Sequence, residues 1–125
     1  MSEVKSAFQS LVDDAKSQIK EIGMSEVKDM VDANSIDGII IDVREDADYI
    51  NAHIPTSIHL SKGMIEVKIE KEITNKEQKL YLYCGGGSRS ALATLNLQKM
   101  GYKNAVSVSG GFREWLDLSS KAING

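Results

Sequence analysis

Apolar residues at the start of the chain recur three or four positions apart. Val4, Phe8, Leu11, Val12 and Ala15 follow this spacing, and Ser2 precedes them as a capping residue. The pattern predicts an amphipathic helix over residues 1–17. Such a helix either packs on the domain that follows it or binds a partner protein or a second copy of the chain. We therefore treat residues 1–17 as an extension and residues 18–125 as one domain.

Short strand-like segments follow, separated by glycine, proline or polar residues. Residues 18–22, QIKEI, alternate polar and apolar positions, which predicts a short strand that ends at Gly23. Ile39–Ile41 is a run of β-branched residues, typical of a strand that is buried on both faces. Further strands are predicted in the segments SIHL, KLYLYC and NAVSVSG.

Helix-like segments separate these strands. Ser25 is predicted to cap a short helix that ends at Asn34, and Gly101 to end the helix SALATLNLQKM. Helices are also predicted in REDADYINA, at the start of KGMIEVKIEKEI and in GFREWLDLSSK. The alternation predicts an α/β fold with a parallel sheet of about five strands, helices on both faces, and ligands at the carboxyl ends of the strands.

Composition narrows the classes of function. The length of 125 residues suits one domain, and 42% hydrophobic with 26% charged residues is typical of a globular protein. A net charge of -3 supplies no basic footprint, which argues against a nucleic-acid partner. Charged residues interrupt the first twenty positions, so neither a secretion signal nor a membrane span is predicted. Together with a single cysteine, which makes no internal disulfide, this indicates a cytoplasmic protein.

The only cysteine, Cys84, ends a predicted strand and is followed by three glycines, Gly85–Gly87. A turn from strand to helix needs one glycine, so three indicate a backbone that wraps around a group. The amides of Gly85–Arg89 and the end of a helix beginning near Ser90 would stabilise an anion there, which lowers the pKa of a cysteine. Cys84 is therefore predicted to be a nucleophile. The candidate substrate-binding residues are Gly85, Gly86, Gly87, Ser88, Arg89 and Ser90.

The glycine-rich loop also allows a simpler interpretation, in which Cys84 is a small buried side chain and the glycines form a phosphate-binding turn. No Lys-Ser or Lys-Thr pair follows the glycines, so the loop lacks the P-loop pattern of nucleotide-binding proteins. Ser90 stands where the dinucleotide-binding pattern has its third glycine. A cysteine at the first position of the loop fits thiol chemistry better.

Two longer segments carry a resemblance to a known family. The segment YCGGGSRSALATLNLQKMGYKNAVSVSGGFREW resembles the second half of rhodanese-like sulfurtransferase domains, with their Cys-x-x-Gly-x-Arg-Ser loop and Gly-Gly-x-x-x-Trp ending. The segment IIDVREDADYINAHIPTSIHL is similar to the first half of the same domains. The match spans residues from about Gln18 to Leu118, in the family's order.

This resemblance implies a three-layer sandwich and the transfer of sulfane sulfur. Cys84 would take sulfur from thiosulfate or a persulfide, hold it as a cysteine persulfide and pass it to a thiol or to cyanide. A persulfide is an anion that needs amide donors, so neither a metal nor a cofactor is expected. The resemblance places Arg89 to orient the loop or an anionic donor. It also places Asp42, Arg44 and Glu45 beside the loop as supporting residues.

Three functions stay open at this point. The chain is predicted to be a sulfurtransferase, a persulfide carrier or sulfide-sensing module that serves a partner, or a phosphatase or arsenate reductase of the same fold. The third class has five residues between cysteine and arginine, whereas four separate Cys84 from Arg89, so the smaller loop favours sulfur over phosphate. Arg89 is the only formal positive charge in this loop, so weak binding of thiosulfate is expected unless a nearby residue such as Lys62 adds a charge.

Overall fold

The structure is a computed structural model that describes residues 5–124, with side chains to residue 120. The helices are α1 (Ala7–Lys16), α2 (Met24–Asp32), α3 (Asp46–Asn51), α4 (Ile65–Glu72), α5 (Ser88–Lys99) and α6 (Gly111–Asn124). The strands are β1 (Glu21–Gly23), β2 (Ile39–Asp42), β3 (Ile58–His59), β4 (Leu80–Tyr83) and β5 (Ala105–Ser109). No helix in this described part of the chain combines the length and the apolar character that a membrane crossing requires.

The five strands form one parallel sheet in the order β1-β5-β4-β2-β3. At its centre, Asp42 at the end of β2 pairs with Tyr83 at the end of β4. The segments that follow these two strands therefore leave the sheet side by side, at the carboxyl edge where α/β folds place their ligands. The predicted α/β sandwich with a parallel sheet of about five strands is confirmed.

Side chains alternate between the two faces of the sheet. Leu80 and Leu82 of β4 join one buried cluster, whereas Tyr81 and Tyr83 join another. Helix α5 contacts β4, β5 and α4, and helix α2 contacts β5 and α6. Alternating burial on both faces, with helices in contact with each side, makes the three layers of the sandwich.

Helix α1 packs on α5. Val12 and Ala15 are fully buried, and the side chain of Ser6 caps the helix by accepting a hydrogen bond of 3.0 Å from the Gln9 amide. The cap predicted at Ser2 lies outside the described residues. The amphipathic pattern therefore produces the docked helix that was one of its two interpretations.

Two predicted boundaries near the start of the domain are wrong. Gly23, not Ser25, is the N-cap of α2, because the chain passes directly from β1 into the helix and buries Met24. Strand β1 occupies Glu21–Gly23 and not residues 18–22, because pairing with β5 extends only from Glu21 opposite Ser107 to Gly23 opposite Ser109.

The start of α6 holds the segment that follows β4. The Phe112 amide donates a hydrogen bond of 2.8 Å to the carbonyl oxygen of Cys84, and the Arg113 amide one of 3.2 Å to that of Gly85. Gly111 makes this approach possible. Its φ is 58°, and a Cβ at this position would overlap the Cys84 carbonyl oxygen and lie 2.7 Å from the carbonyl carbon of Gly85.

We expect Gly111→Ala to lower the free energy of unfolding by about 2 kcal/mol or more, because alanine resists a positive φ and its Cβ displaces the backbone at Cys84. The matched control is Gly63→Ala, since a Cβ at position 63 would meet no atom within 4 Å. That control should stay within about 0.5 kcal/mol of the parent protein. Urea titrations of the three proteins measure the difference, and equal values for both variants would contradict the steric argument.

Candidate active site

Cys84 follows β4 directly, and only 2% of the residue is exposed. Its Sγ accepts hydrogen bonds from the Gly87 amide at 3.0 Å and from the Ser90 amide at 3.4 Å. The Ser90 Oγ is 3.5 Å from Sγ and 2.9 Å from the Ser107 Oγ, so two buried hydroxyls continue this network into the sheet. The sulfur is thus surrounded by hydrogen-bonding groups although it is buried.

These surroundings act on the pKa of Cys84 in opposite directions. Burial is the largest effect and raises the pKa, because the thiolate loses its hydration. Hydrogen bonds from the Ser90 hydroxyl and from the amides of Ser90, Gly87 and Gly86 stabilise the thiolate and together outweigh burial. The pKa is therefore lowered from its ordinary value, which favours the nucleophilic form of the side chain.

The backbone of the glycine-rich loop turns toward the sulfur at one glycine, whereas the sequence predicted a wrap made by all three. Of its three glycines only Gly87 has a positive φ, 105°, and Gly87 is the N-cap of α5. The helix therefore begins at Ser88, two residues before the predicted start near Ser90. This places the Ser90 amide in the first turn, where amides have no partner within the helix, and it points to Sγ.

Arg89 and Glu45 meet across the mouth of the loop. The Arg89 Nη1 lies 3.3 Å from the Glu45 Oε1, and both side chains are exposed, at 40% and 70%. Glu45 follows β2, so this ion pair joins the segments that leave two neighbouring strands. The structure therefore places Glu45 beside the loop, in contact with the loop's own arginine.

Asp42 and Arg44 instead form a buried ion pair. The Arg44 Nη2 donates to the Asp42 Oδ2 at 2.8 Å and to the Ala52 carbonyl at 2.6 Å, and the guanidinium lies 4.1 Å from the centre of the Phe112 ring. Burial is the largest single effect and lowers the pKa of Arg44, but the hydrogen bond to Asp42 and the nearby negative charges together outweigh burial and raise the pKa. The pair holds the end of β2 and does not line the cavity at Cys84. A supporting role for either residue stays a prediction.

A cavity of about 280 Å³ opens above the sulfur. Its lining residues are Phe8, Cys84, Gly85, Gly86, Ser88, Arg89 and Arg113. Phe8 and Arg113 were not among the predicted site residues. Both are remote from the loop in sequence. The available signals were indirect, since Phe8 belongs to the N-terminal amphipathic stripe and Arg113 comes shortly after the Gly-Gly pair. Arg113 is a cation at the mouth besides Arg89, whereas Lys62 does not line this cavity.

Known proteins share this architecture and sequence. Residues 24–118 match the rhodanese-like domain family. YrkF of Bacillus subtilis (strain 168), named as a candidate sulfur carrier protein, is 34% identical over 79% of this chain, and the match spans about half (52%) of YrkF. Thiosulfate sulfurtransferase GlpE of Coxiella burnetii is 32% identical, over 77% of this chain and 86% of its own length.

Among solved structures, RPA3614 of Rhodopseudomonas palustris CGA009, a protein of unknown function described as a possible tyrosine phosphatase, superimposes with a TM-score of 0.83 and 27% identity. The superposition covers 95% of this chain and 96% of that one. The sequence match covers most of the chain, and the fold and the cysteine loop agree with it. The chain therefore belongs to the rhodanese-like domain family.

Proposed function

We propose that the chain is a sulfurtransferase that carries sulfane sulfur on Cys84. The observation that supports this most strongly is the position of the Cys84 Sγ, which accepts hydrogen bonds from two backbone amides at the base of an open cavity. Relatives named for sulfur transfer support the same class of activity at the level of the family. The donor is thiosulfate or a persulfide, and the acceptor is a thiol or cyanide.

The reaction proceeds in two displacements at sulfur. The Cys84 thiolate attacks the terminal sulfur of thiosulfate, the S–S bond of the donor breaks, and sulfite leaves with the electron pair. The product is a persulfide anion on Cys84. The thiolate of an acceptor, or cyanide, then attacks the terminal sulfur of this persulfide and restores the Cys84 thiolate. No external oxidant or reductant is needed, because the transferred sulfur is already at the sulfane level in the donor and the electron pair of the broken S–S bond leaves with sulfite.

The cavity suits the intermediate of this reaction. The terminal sulfur of the persulfide lies about 2 Å beyond Sγ and carries the negative charge. The amides of the loop and the first turn of α5 stabilise an anion at this position. Arg89 and Arg113 place positive charge on the lining of the same cavity, where an anionic donor enters. Sulfur chemistry of this kind needs a free thiol, so a reducing, cytoplasmic location remains our prediction.

A second candidate function is a persulfide carrier that delivers sulfur only to a partner protein. The name of YrkF favours it, since that relative is described as a candidate sulfur carrier. The geometry at Sγ serves both functions, because each requires a stabilised persulfide. Turnover with small acceptors separates them, since an enzyme accelerates the release of the sulfur to cyanide, whereas a carrier releases it no faster than a free persulfide does.

We expect Cys84→Ser to abolish both sulfur loading and turnover while the domain stays folded, because a hydroxyl of similar size is a far weaker nucleophile and forms no persulfide. Intact-mass measurement after incubation with thiosulfate or a persulfide should show a gain of one sulfur atom in the parent protein and none in the variant. Sulfur loading that persists in the variant would refute the role of Cys84. Cys84-dependent hydrolysis of a phosphomonoester, without sulfur loading, would favour a phosphatase instead.

Gly87→Ala should lower the turnover rate by about tenfold or more, because the left-handed conformation at position 87 costs alanine roughly 1 kcal/mol and its relaxation moves the amides away from Sγ. Gly85→Ala is the matched control. It lies in the same loop, but its φ is not positive and a Cβ there meets no atom within 4 Å. Steady-state rates with a cyanide acceptor compare the two, and equal rates would show that the φ of Gly87 is unimportant.

Ser90→Ala should move the titration of Cys84 to higher pH, because the hydroxyl bond that lowers the pKa is lost while burial remains. The ultraviolet absorbance of the thiolate, followed against pH, measures this midpoint. Below the midpoint the sulfur is protonated, so loading by a donor should fall off at a higher pH in the variant than in the parent. Ser88→Ala is the control, since Ser88 lines the cavity but has no hydrogen bond to Sγ. An unshifted midpoint in Ser90→Ala would contradict the assignment.

A further inference from the structure

Helix α1 brings an aromatic ring to the mouth of the cavity at Cys84. Phe8, Val12 and Ala15 are spaced four and three positions apart and therefore form one stripe along the helix. Val12 and Ala15 are fully buried, whereas Phe8 is 50% exposed and lines the cavity at Cys84. The stripe that docks the helix thus ends in a ring that the domain does not cover.

The direction of α1 explains why this ring lies at the mouth. Early residues of both helices, Phe8 of α1 and Ser88 and Arg89 of α5, line the cavity at Cys84. Later residues of both, including Leu11 and Leu95, line a separate cavity of about 240 Å³. The two helices therefore run in the same direction, and Phe8 lies where α5 begins and offers no further turn to cover the ring.

The lining of the cavity has two chemically different sides. Phe8 supplies an apolar surface, and the guanidinium groups of Arg89 and Arg113 supply positive charge, with Cys84 at the base. Thiosulfate is a small dianion, so its binding depends on the cations and the loop amides, and it has no apolar group that could contact an aromatic ring. A donor with a carbon group next to its anionic end offers that group a partner in Phe8.

Phe8 also lies outside the region that defines the family. The family match begins at residue 24, after the whole of α1. The superposition on RPA3614 leaves only 5% of this chain uncovered, which is fewer residues than the 23 before that match. That superposition therefore includes part of the segment before residue 24, whereas the domain that defines the family begins only after α1.

We propose that Phe8 is a specificity-determining residue, which makes the cavity favour sulfane-sulfur donors that carry an apolar organic group over inorganic thiosulfate. The inference rests on the proposed function. An organic thiosulfonate has the required chemistry. The Cys84 thiolate attacks its terminal sulfur, the S–S bond breaks, and an organic sulfinate leaves with the electron pair. The product on the protein is the same persulfide that thiosulfate forms.

A comparison of three sulfur donors tests this proposal. The second-order rate constant kcat/KM is measured with benzenethiosulfonate, methanethiosulfonate and thiosulfate, with cyanide as the acceptor throughout. Phe8→Ala should lower kcat/KM for benzenethiosulfonate by about three- to tenfold, the range expected for loss of one aromatic contact. The value for thiosulfate should change by less than about twofold, and methanethiosulfonate should fall between the two.

Two further variants separate specificity from stability. Phe8→Leu keeps an apolar wall and should retain most of the preference for the organic donors. Leu11→Ala removes a side chain of the same helix that is 56% exposed but lines the other cavity, so the ratios between donors should not change. If Phe8→Ala does not unfold cooperatively, Phe8→Leu and Phe8→Gln carry the comparison in its place, since glutamine keeps length without the ring.

The outcomes distinguish this inference from the function on which it rests. Equal losses for all three donors would assign Phe8 a structural role, and unchanged kcat/KM values for all three would show that the ring does not contact the donor, so either result overturns the inference alone. If the parent protein gains no sulfur on Cys84 from any donor, the proposed function fails and the inference fails with it. A selective loss with benzenethiosulfonate supports both.

Discussion

The hydrogen bonds from the Gly87 and Ser90 amides to the Cys84 sulfur are the interaction on which the site depends. A cysteine that is 2% exposed would, by burial alone, have a raised pKa and remain an inert thiol. The amides and the Ser90 hydroxyl reverse that effect and lower the pKa. Because these donors are backbone amides and one neutral hydroxyl at the start of α5, the reactivity of the sulfur depends on the geometry of a turn and not on a second charged side chain.

Such a turn acts only if the backbone on both sides of it is held in place. On one side the first amides of α6 donate hydrogen bonds to the carbonyl oxygens of Cys84 and Gly85. This close approach requires glycine at position 111, because a Cβ there would overlap the Cys84 carbonyl oxygen. On the other side the buried pair of Asp42 and Arg44 holds the end of β2, next to β4 in the sheet. Gly111, Asp42 and Arg44 do not line the cavity, and their predicted role is to hold the strand ends from which it is built.

Helix α1 of the N-terminal extension adds an apolar surface to the cavity at Cys84, which we propose changes the sulfur donors that the cavity favours. The shared domain contributes the sulfur, the glycine loop and two cations, all suited to a small anion. Helix α1 adds Phe8 at the rim, and the ring remains half exposed because α5 ends its contact with α1 just below it. We therefore propose that a helix docked on the outer face of the α5 layer alters substrate preference without altering the reaction.

Local patterns in the sequence were sufficient for the order of helices and strands, for the α/β class and for the loop around Cys84. Alternating and helical periods arise from which face of an element is buried, and a cysteine followed by three glycines restricts the backbone over a few residues. The predicted cap at Ser25, the start of α5 near Ser90 and the extent of β1 were wrong by a few residues. Strand pairing with β5 and the left-handed conformation at Gly87 decided these boundaries, and neither is visible in a local pattern.

Only the tertiary structure decided which distant residues surround the sulfur. Phe8 and Arg113 are separated from Cys84 by 76 and 29 positions, and the packing of α1 on α5 and of α6 on the loop brings both to one cavity. The tertiary structure also places Arg44 inward against Asp42 and Glu45 outward against Arg89, although the two residues are adjacent in the chain. A sequence specifies side chains and local turns, whereas the position of one element against another depends on the burial of whole faces, summed over the fold.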